Sequence, residues 1–135
     1  MNYRDIVAII YGIPFVWIGI SHFTDPTWFE PIVPEILGNA YFWVILSGVF
    51  EVLIGVGIMI PRLRKVSAAA MVLMLITLYW ANLNMWVNNI PLSGQTFEDK
   101  WHILRGVIQV ALIFVALWIG KFPPFKDEMY DKNNL

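Results

Sequence analysis

Residues 41–60 read YFWVILSGVFEVLIGVGIMI. Twelve of these residues are Leu, Ile, Val or Phe, and a single carboxylate, Glu51, sits in the middle. As a helix the stretch rises roughly 30 Å at 1.5 Å per residue, the thickness of a bilayer's hydrocarbon core. A central acid costs about 2.5–3.5 kcal/mol on the insertion scale, and each large apolar residue offsets about 0.3–0.6 kcal/mol. The stretch therefore inserts despite Glu51. Lipid is a poor place to leave a carboxylate, so Glu51 is expected to face the interior of a bundle. Ser47, Gly48, Glu51 and Gly55 fall at i, i+1, i+4 and i+8 along one helical face. Small residues there let another helix come close.

Working outward, three more apolar stretches of similar length appear: 6–23 (IVAIIYGIPFVWIGISHF), 66–86 (VSAAAMVLMLITLYWANLNMW) and 101–120 (WHILRGVIQVALIFVALWIG). Barrel strands would show about ten residues of strict alternation, and none do. No small-x-small cleavage site follows the first stretch, which is expected to be retained. The composition agrees. Hydrophobic residues make up 59% of the chain and charged residues 14%, against roughly 25% charged in a soluble domain. Mean hydropathy is +0.64. So small a soluble domain could not bury this much apolar surface. The expected architecture is all-α: a four-transmembrane-helix bundle as one domain over 1–123, followed by a polar tail over 124–135.

The sequence TDPTWFEPIVPEILGNA, residues 24–40, joins the first two spans. Trp28 and Phe29, Ile32 and Val33, Ile36 and Leu37 recur at helical spacing, but Pro31 and Pro34 argue against a long regular helix. A short interfacial segment capping the bundle is expected. In a four-span topology Arg4, Arg62, Arg64, Lys65, Lys121, Lys126 and Lys132 share one side, and Lys100 alone is opposite. The positive-inside rule then puts both termini in the cytoplasm, with a bacterial or archaeal cytoplasmic membrane as the expected setting. The chain has no cysteine, which excludes disulfides and thiol relays within it, and its net charge of −1 gives no reason to expect nucleic acid.

Polar residues inside the spans gather in the half away from the cationic side. The first span ends in Ser21 and His22, and the third carries Asn82 and Asn84. The fourth carries His102, Arg105 and Gln109 at i, i+3 and i+7, one stripe beside Gly106. Glu51 lies about 15 Å in from Tyr41, while Arg105 and Gln109 lie roughly 6 and 12 Å in from Trp101. An extended Arg105 side chain closes much of the gap in depth, so Arg105 is the expected partner of Glu51. An apolar pocket with a few converging polar groups is a standard small-molecule site. Glu51 and His22 are the expected proton-moving groups, and Arg105, Gln109, Asn82, Asn84 and His102 the expected ligand-binding ones. No metal is assigned, since two His and one Glu lack zinc-ligand spacing. The same residues also fit a structural reading: an ion pair setting helix register, asparagines bonding between helices, and histidines near headgroups.

Four fragments in order carry a resemblance. GISHFTDPTWFEPIVPEI, SGVFEVLIGVGIMIPRLRKVSAAA, WANLNMW, and Trp101, Arg105 and Gln109 together resemble the DoxX family over about residues 6–120. Trp80 stands where that family often has proline. The matching positions are His22, Glu51, Asn82, Arg105 and Gln109. The resemblance implies a four-helix membrane protein, in some members a partner of a thiosulfate:quinone oxidoreductase or of oxidative-stress complexes, in an animal member a receptor chaperone. One expectation is a redox-linked subunit that binds a quinone or similar amphiphile and needs a partner subunit to carry electrons. Another is a non-catalytic assembly factor, alone or as a homo-oligomer, with the bilayer and a protein as its partners. A third, resting on fold-level analogy, is a sterol- or lipid-isomerase-like site.

Overall fold

The computed structural model describes residues 1–125; most of the tail expected over 124–135, with Lys126 and Lys132, lies outside the described residues. Four long helices form the bundle: α1 (Tyr3–Thr24), α3 (Ala40–Met59), α4 (Arg64–Val87) and α5 (Asp99–Ile119). Each is long and apolar enough to cross a membrane. The chain is a multi-pass membrane protein of all-α architecture. A short helix, α2 (Pro26–Phe29), and two single 3-10 turns, Glu30–Ile32 and Glu35–Leu37, make up the segment between α1 and α3.

Local chemistry sets the boundaries. Asn2 caps α1 by accepting from the Asp5 N–H, while Asp5 accepts from the Asn2 N–H. Pro26 ends α1, because the residue before a proline is pushed out of the helical region, and Asp25 sits at φ −142, ψ 66. Pro61 ends α3 the same way, with Ile60 extended. Asn39 caps α3 through the Phe42 N–H. Pro31 and Pro34 break the segment into turns, as the sequence suggests. Between α4 and α5, Ser93 and Gly94 both take positive φ and close a two-residue hairpin in which Leu92 and Gln95 exchange both backbone hydrogen bonds.

Neighbours in sequence are neighbours in space. α1 packs chiefly on α3, α4 on α5, and α3 on α4, while α1 touches α5 only lightly. The tightest seam is α1–α3. Gly12 faces Gly55 and Gly19 faces Gly48, so backbones meet. A Cβ added at Gly12 would lie 2.6 Å from the Gly55 carbonyl oxygen, and one at Gly48 would lie 2.6 Å from His22 Cβ.

The apolar core occupies the end of the bundle that holds the N-terminus and the α3–α4 turn, here called the terminal end. Ala8, Tyr11, Ile58, Met71, Ala116 and Ile119 are buried there. Polar clasps close it. Arg64 Nη1 lies 2.7 Å from Asp5 Oδ1, its Nε donates to the Ile58 carbonyl, and Arg4 Nε donates to the Trp118 carbonyl. The Tyr11 hydroxyl donates to the Leu112 carbonyl across to α5 at 2.8 Å. The opposite, capped end carries the α2 segment and the α4–α5 loop. Around the outside, Trp17 is 74% and Leu73 68% exposed, as surfaces facing acyl chains should be.

Candidate functional site

The polar residues of the capped half do not converge in one pocket. They form two groups on two different seams.

The first group lies between α1 and α3. Gly19 and Gly48 bring the two backbones together, so His22 on α1 lies beside Ser47 and Glu51 on α3. His22 and Glu51 are 6% and 4% exposed. His22 Nδ1 is 3.0 Å from the Val44 carbonyl oxygen. A carbonyl only accepts, so Nδ1 carries a proton. The Ser47 hydroxyl donates to the same carbonyl at 2.9 Å and lies 3.1 Å from Nδ1, where its lone pair can share that proton. On the other side of the ring, Nε2 stands 3.2 Å from Glu51 Oε2. That distance is close enough for an ion pair, yet the two atoms are not aligned as a full hydrogen bond. Glu51 Oε2 therefore remains buried without a hydrogen-bond donor. Phe29 of α2 covers the imidazole, with ring centroids 4.0 Å apart.

This arrangement corrects the pairing of Glu51 with Arg105. Depth along the helices would have allowed that pair. The α1–α3 glycine contact instead turns Glu51 toward His22, and Arg105 belongs to the other seam.

The second group lies between α4 and α5. His102 is 4% exposed, stacked on Trp86 at 5.5 Å with the rings nearly parallel, and set against the edge of Phe97. Its Nδ1 is buried without a hydrogen-bond partner. Arg105 lies over the Phe97 ring at 4.9 Å and gives one hydrogen bond, to the Met85 thioether at 3.3 Å. Gln109 Nε2 donates to the Leu75 carbonyl of α4. The stripe of His102, Arg105 and Gln109 is thus real, but it faces α4. Asn84 Nδ2 donates to the Ile32 carbonyl at 3.1 Å, tying α4 to the capping segment. Asn82 is half-buried and makes no side-chain hydrogen bond among the described residues. A groove of about 600 Å³ runs along this seam, lined by Ile76, Tyr79, Trp86, Gly106, Gln109 and Ile113.

Phe29, the Val44 carbonyl, Met85 and Phe97 complete these groups, and sequence reasoning missed them. The seven-residue spacing of Gly12 and Gly19, matched by Gly48 and Gly55, is the signal that would have located the α1–α3 seam. Among the described residues, no three His, Asp or Glu side chains come together to share an ion.

The family described as "Domain of unknown function (DUF8561)" matches residues 12–120, a range that holds both polar groups. The chain belongs to this family. No curated protein and no solved structure matches it. Chemically, the DUF8561 chain offers a buried carboxyl–imidazole pair on one seam and an open groove on the other. With Nδ1 already protonated, the pair is anionic until one further proton is added to Nε2 or Oε2. With that proton added the pair is neutral overall whichever atom carries it, the state in which its burial costs least.

Proposed function

We propose that this DUF8561 protein is a DoxX-like membrane subunit of a redox system, binding a quinone or similar amphipathic molecule at the His22–Glu51 pair. One observation carries the reading: Glu51 Oε2 is buried beside His22 with no hydrogen-bond donor. A quinol hydroxyl supplies that missing donor. The pair takes one proton as a partner subunit withdraws electrons, and must release it before taking the second. Phe29 covers the imidazole from the segment, so a ligand that enters from the capped end has to displace it. The order of DoxX-like fragments along the chain supports the same role. Arg4, Arg62, Arg64, Lys65 and Lys121 cluster at the terminal end, which favours a cytoplasmic location for that end.

A second reading, a non-catalytic assembly subunit, has its own support. Asn84 and Gln109 donate to backbone carbonyls on other elements, so these polar groups fasten helices together.

The test is mass spectrometry of small molecules co-purifying in mild detergent with the wild type and with folded Glu51→Gln. A quinone enriched with the wild type alone is expected. Identical bulk lipid on both proteins would overturn the redox reading in favour of the assembly subunit. Orientation is checked with single cysteines, which the cysteine-free chain makes unambiguous. Lys100→Cys should react with an impermeant maleimide on intact cells, and Arg62→Cys should react only after lysis.

A further inference from the structure

The segment between α1 and α3 is held differently from the long helices. Its backbone hydrogen bonds are local: the Trp28 N–H donates to the Asp25 carbonyl, Glu30 to Pro26, Val33 to Glu30 and Leu37 to Pro34. Residues 26–37 can therefore tilt as one unit without breaking these bonds. No residue of α2 or of either 3-10 turn is buried, and a segment with so little buried surface opens at low cost. Its ends suit a pivot. Asp25, at φ −142 and ψ 66, has left the helical geometry of α1. Gly38 has φ +80, and nothing lies within 4 Å of the place its Cβ would take, so its backbone is free to turn.

Side chains hold the segment down, and two of them tie it to α4 and the α4–α5 hairpin. The Trp28 indole N–H donates to the Ser93 hydroxyl at the hairpin tip. Asn84 of α4 donates to the Ile32 carbonyl at 3.1 Å. A third bond, from the Trp43 indole to the Leu37 carbonyl, sits beside Gly38 and can stay made while the segment tilts. The Trp28 ring meets Phe29 edge-on with centroids 4.8 Å apart, and Phe29 in turn covers His22. Ser93, Trp28, Phe29 and His22 thus form one line of contact from the α4–α5 hairpin to the imidazole.

We infer that residues 26–37 are a lid over His22, latched shut by Trp28 on Ser93 and by Asn84 on Ile32, and opening about Asp25 and Gly38 toward the capped end. Releasing the latch lifts Phe29 off the imidazole and uncovers Nε2 and the carboxyl beside it. The α4–α5 hairpin therefore sets access to a site built from α1, α2 and α3. As the gate of a reaction site the lid rests on the reading of the His22–Glu51 pair given above; as a cover on His22 it stands on its own contacts.

Diethyl pyrocarbonate, which acylates neutral imidazole, tests the lid with no quinone present. Modification of His22 and of His102 is timed separately by peptide mass spectrometry on the folded, full-length protein in mild detergent. His102 is just as buried but packs on Trp86 and Phe97, so it reports opening of the whole bundle. When the lid closes faster than the reagent reacts, the His22 rate follows the open population. Trp28→Phe keeps a ring against Phe29 and removes the indole donor. It should raise the His22 rate about three- to tenfold, the weight of one hydrogen bond, and leave His102 unchanged. In Trp28→Cys/Ser93→Cys, a short bis-methanethiosulfonate cross-link should stop modification of His22, and dithiothreitol should restore it. A His22 rate indifferent to both Trp28→Phe and the cross-link would overturn the lid. So would His22 and His102 rates that rise and fall together. If the double variant fails to fold, Trp28→Phe alone decides. A lid that opens on a protein with which no quinone co-purifies would stand while the redox reading falls.

Discussion

The α1–α3 and α4–α5 seams carry similar polar residues, a histidine and a charged group on each, but differ in how closely their helices approach. On α1–α3, glycines face glycines, and His22 and Glu51 are sealed against each other beneath Phe29. On α4–α5, aromatic and branched side chains hold the helices apart, and a groove open to lipid remains. Close backbone approach shortens the distance between polar groups and excludes lipid and water from between them. A wider seam leaves polar groups to find weak partners, as Arg105 does with Met85. Helix separation thus sets how near a polar residue stands to its neighbour across the seam.

The largest expected effect tests the sealed seam. His22→Ala leaves Glu51 buried beside nothing, and breaking a buried pair from one side costs about 3–5 kcal/mol. Adding Glu51→Leu should recover most of that loss. Unfolding of the single and double variants in detergent reads both values. A double variant as unstable as His22→Ala would mean that the two residues are not energetically coupled.

The same small substitution on each seam sharpens the comparison. Gly12→Ala drives a methyl group toward a backbone carbonyl that cannot step aside, and should cost about 1–3 kcal/mol. At Gly106 an added Cβ meets only the Tyr79 hydroxyl, 3.0 Å away at the end of a movable side chain. Gly106→Ala should therefore stay within about 0.5 kcal/mol of wild type. Equal losses at the two positions would erase the distinction between a tight and a loose seam.

Gln109→Leu gives the smallest shift. It removes the bond to the Leu75 carbonyl, and an interhelical hydrogen bond in a membrane is worth about 0.6 kcal/mol on average. A loss of several kcal/mol in the same unfolding assay would show that α4–α5 depends on this one contact far more than its open groove suggests.

Much of this molecule is legible in its residue order. Four apolar runs of bilayer length, separated by proline- and glycine-marked turns, determine the number of helices, because each backbone group in lipid must be bonded within its own helix. Pro31 and Pro34 determine that the capping segment is a set of short turns. The burial of Glu51 also follows from the sequence, since the cost of a carboxylate in lipid is independent of its partner. The identity of that partner does not follow. Rise per residue gives depth, so Arg105 reads as a plausible neighbour of Glu51. Which way a side chain faces depends on which helices touch and how each is rotated, and those are settled by packing among all four. Only the tertiary structure brings Gly19 against Gly48, places His22 beside Glu51, turns the His102–Arg105–Gln109 stripe toward α4, and lays Phe29 over the imidazole.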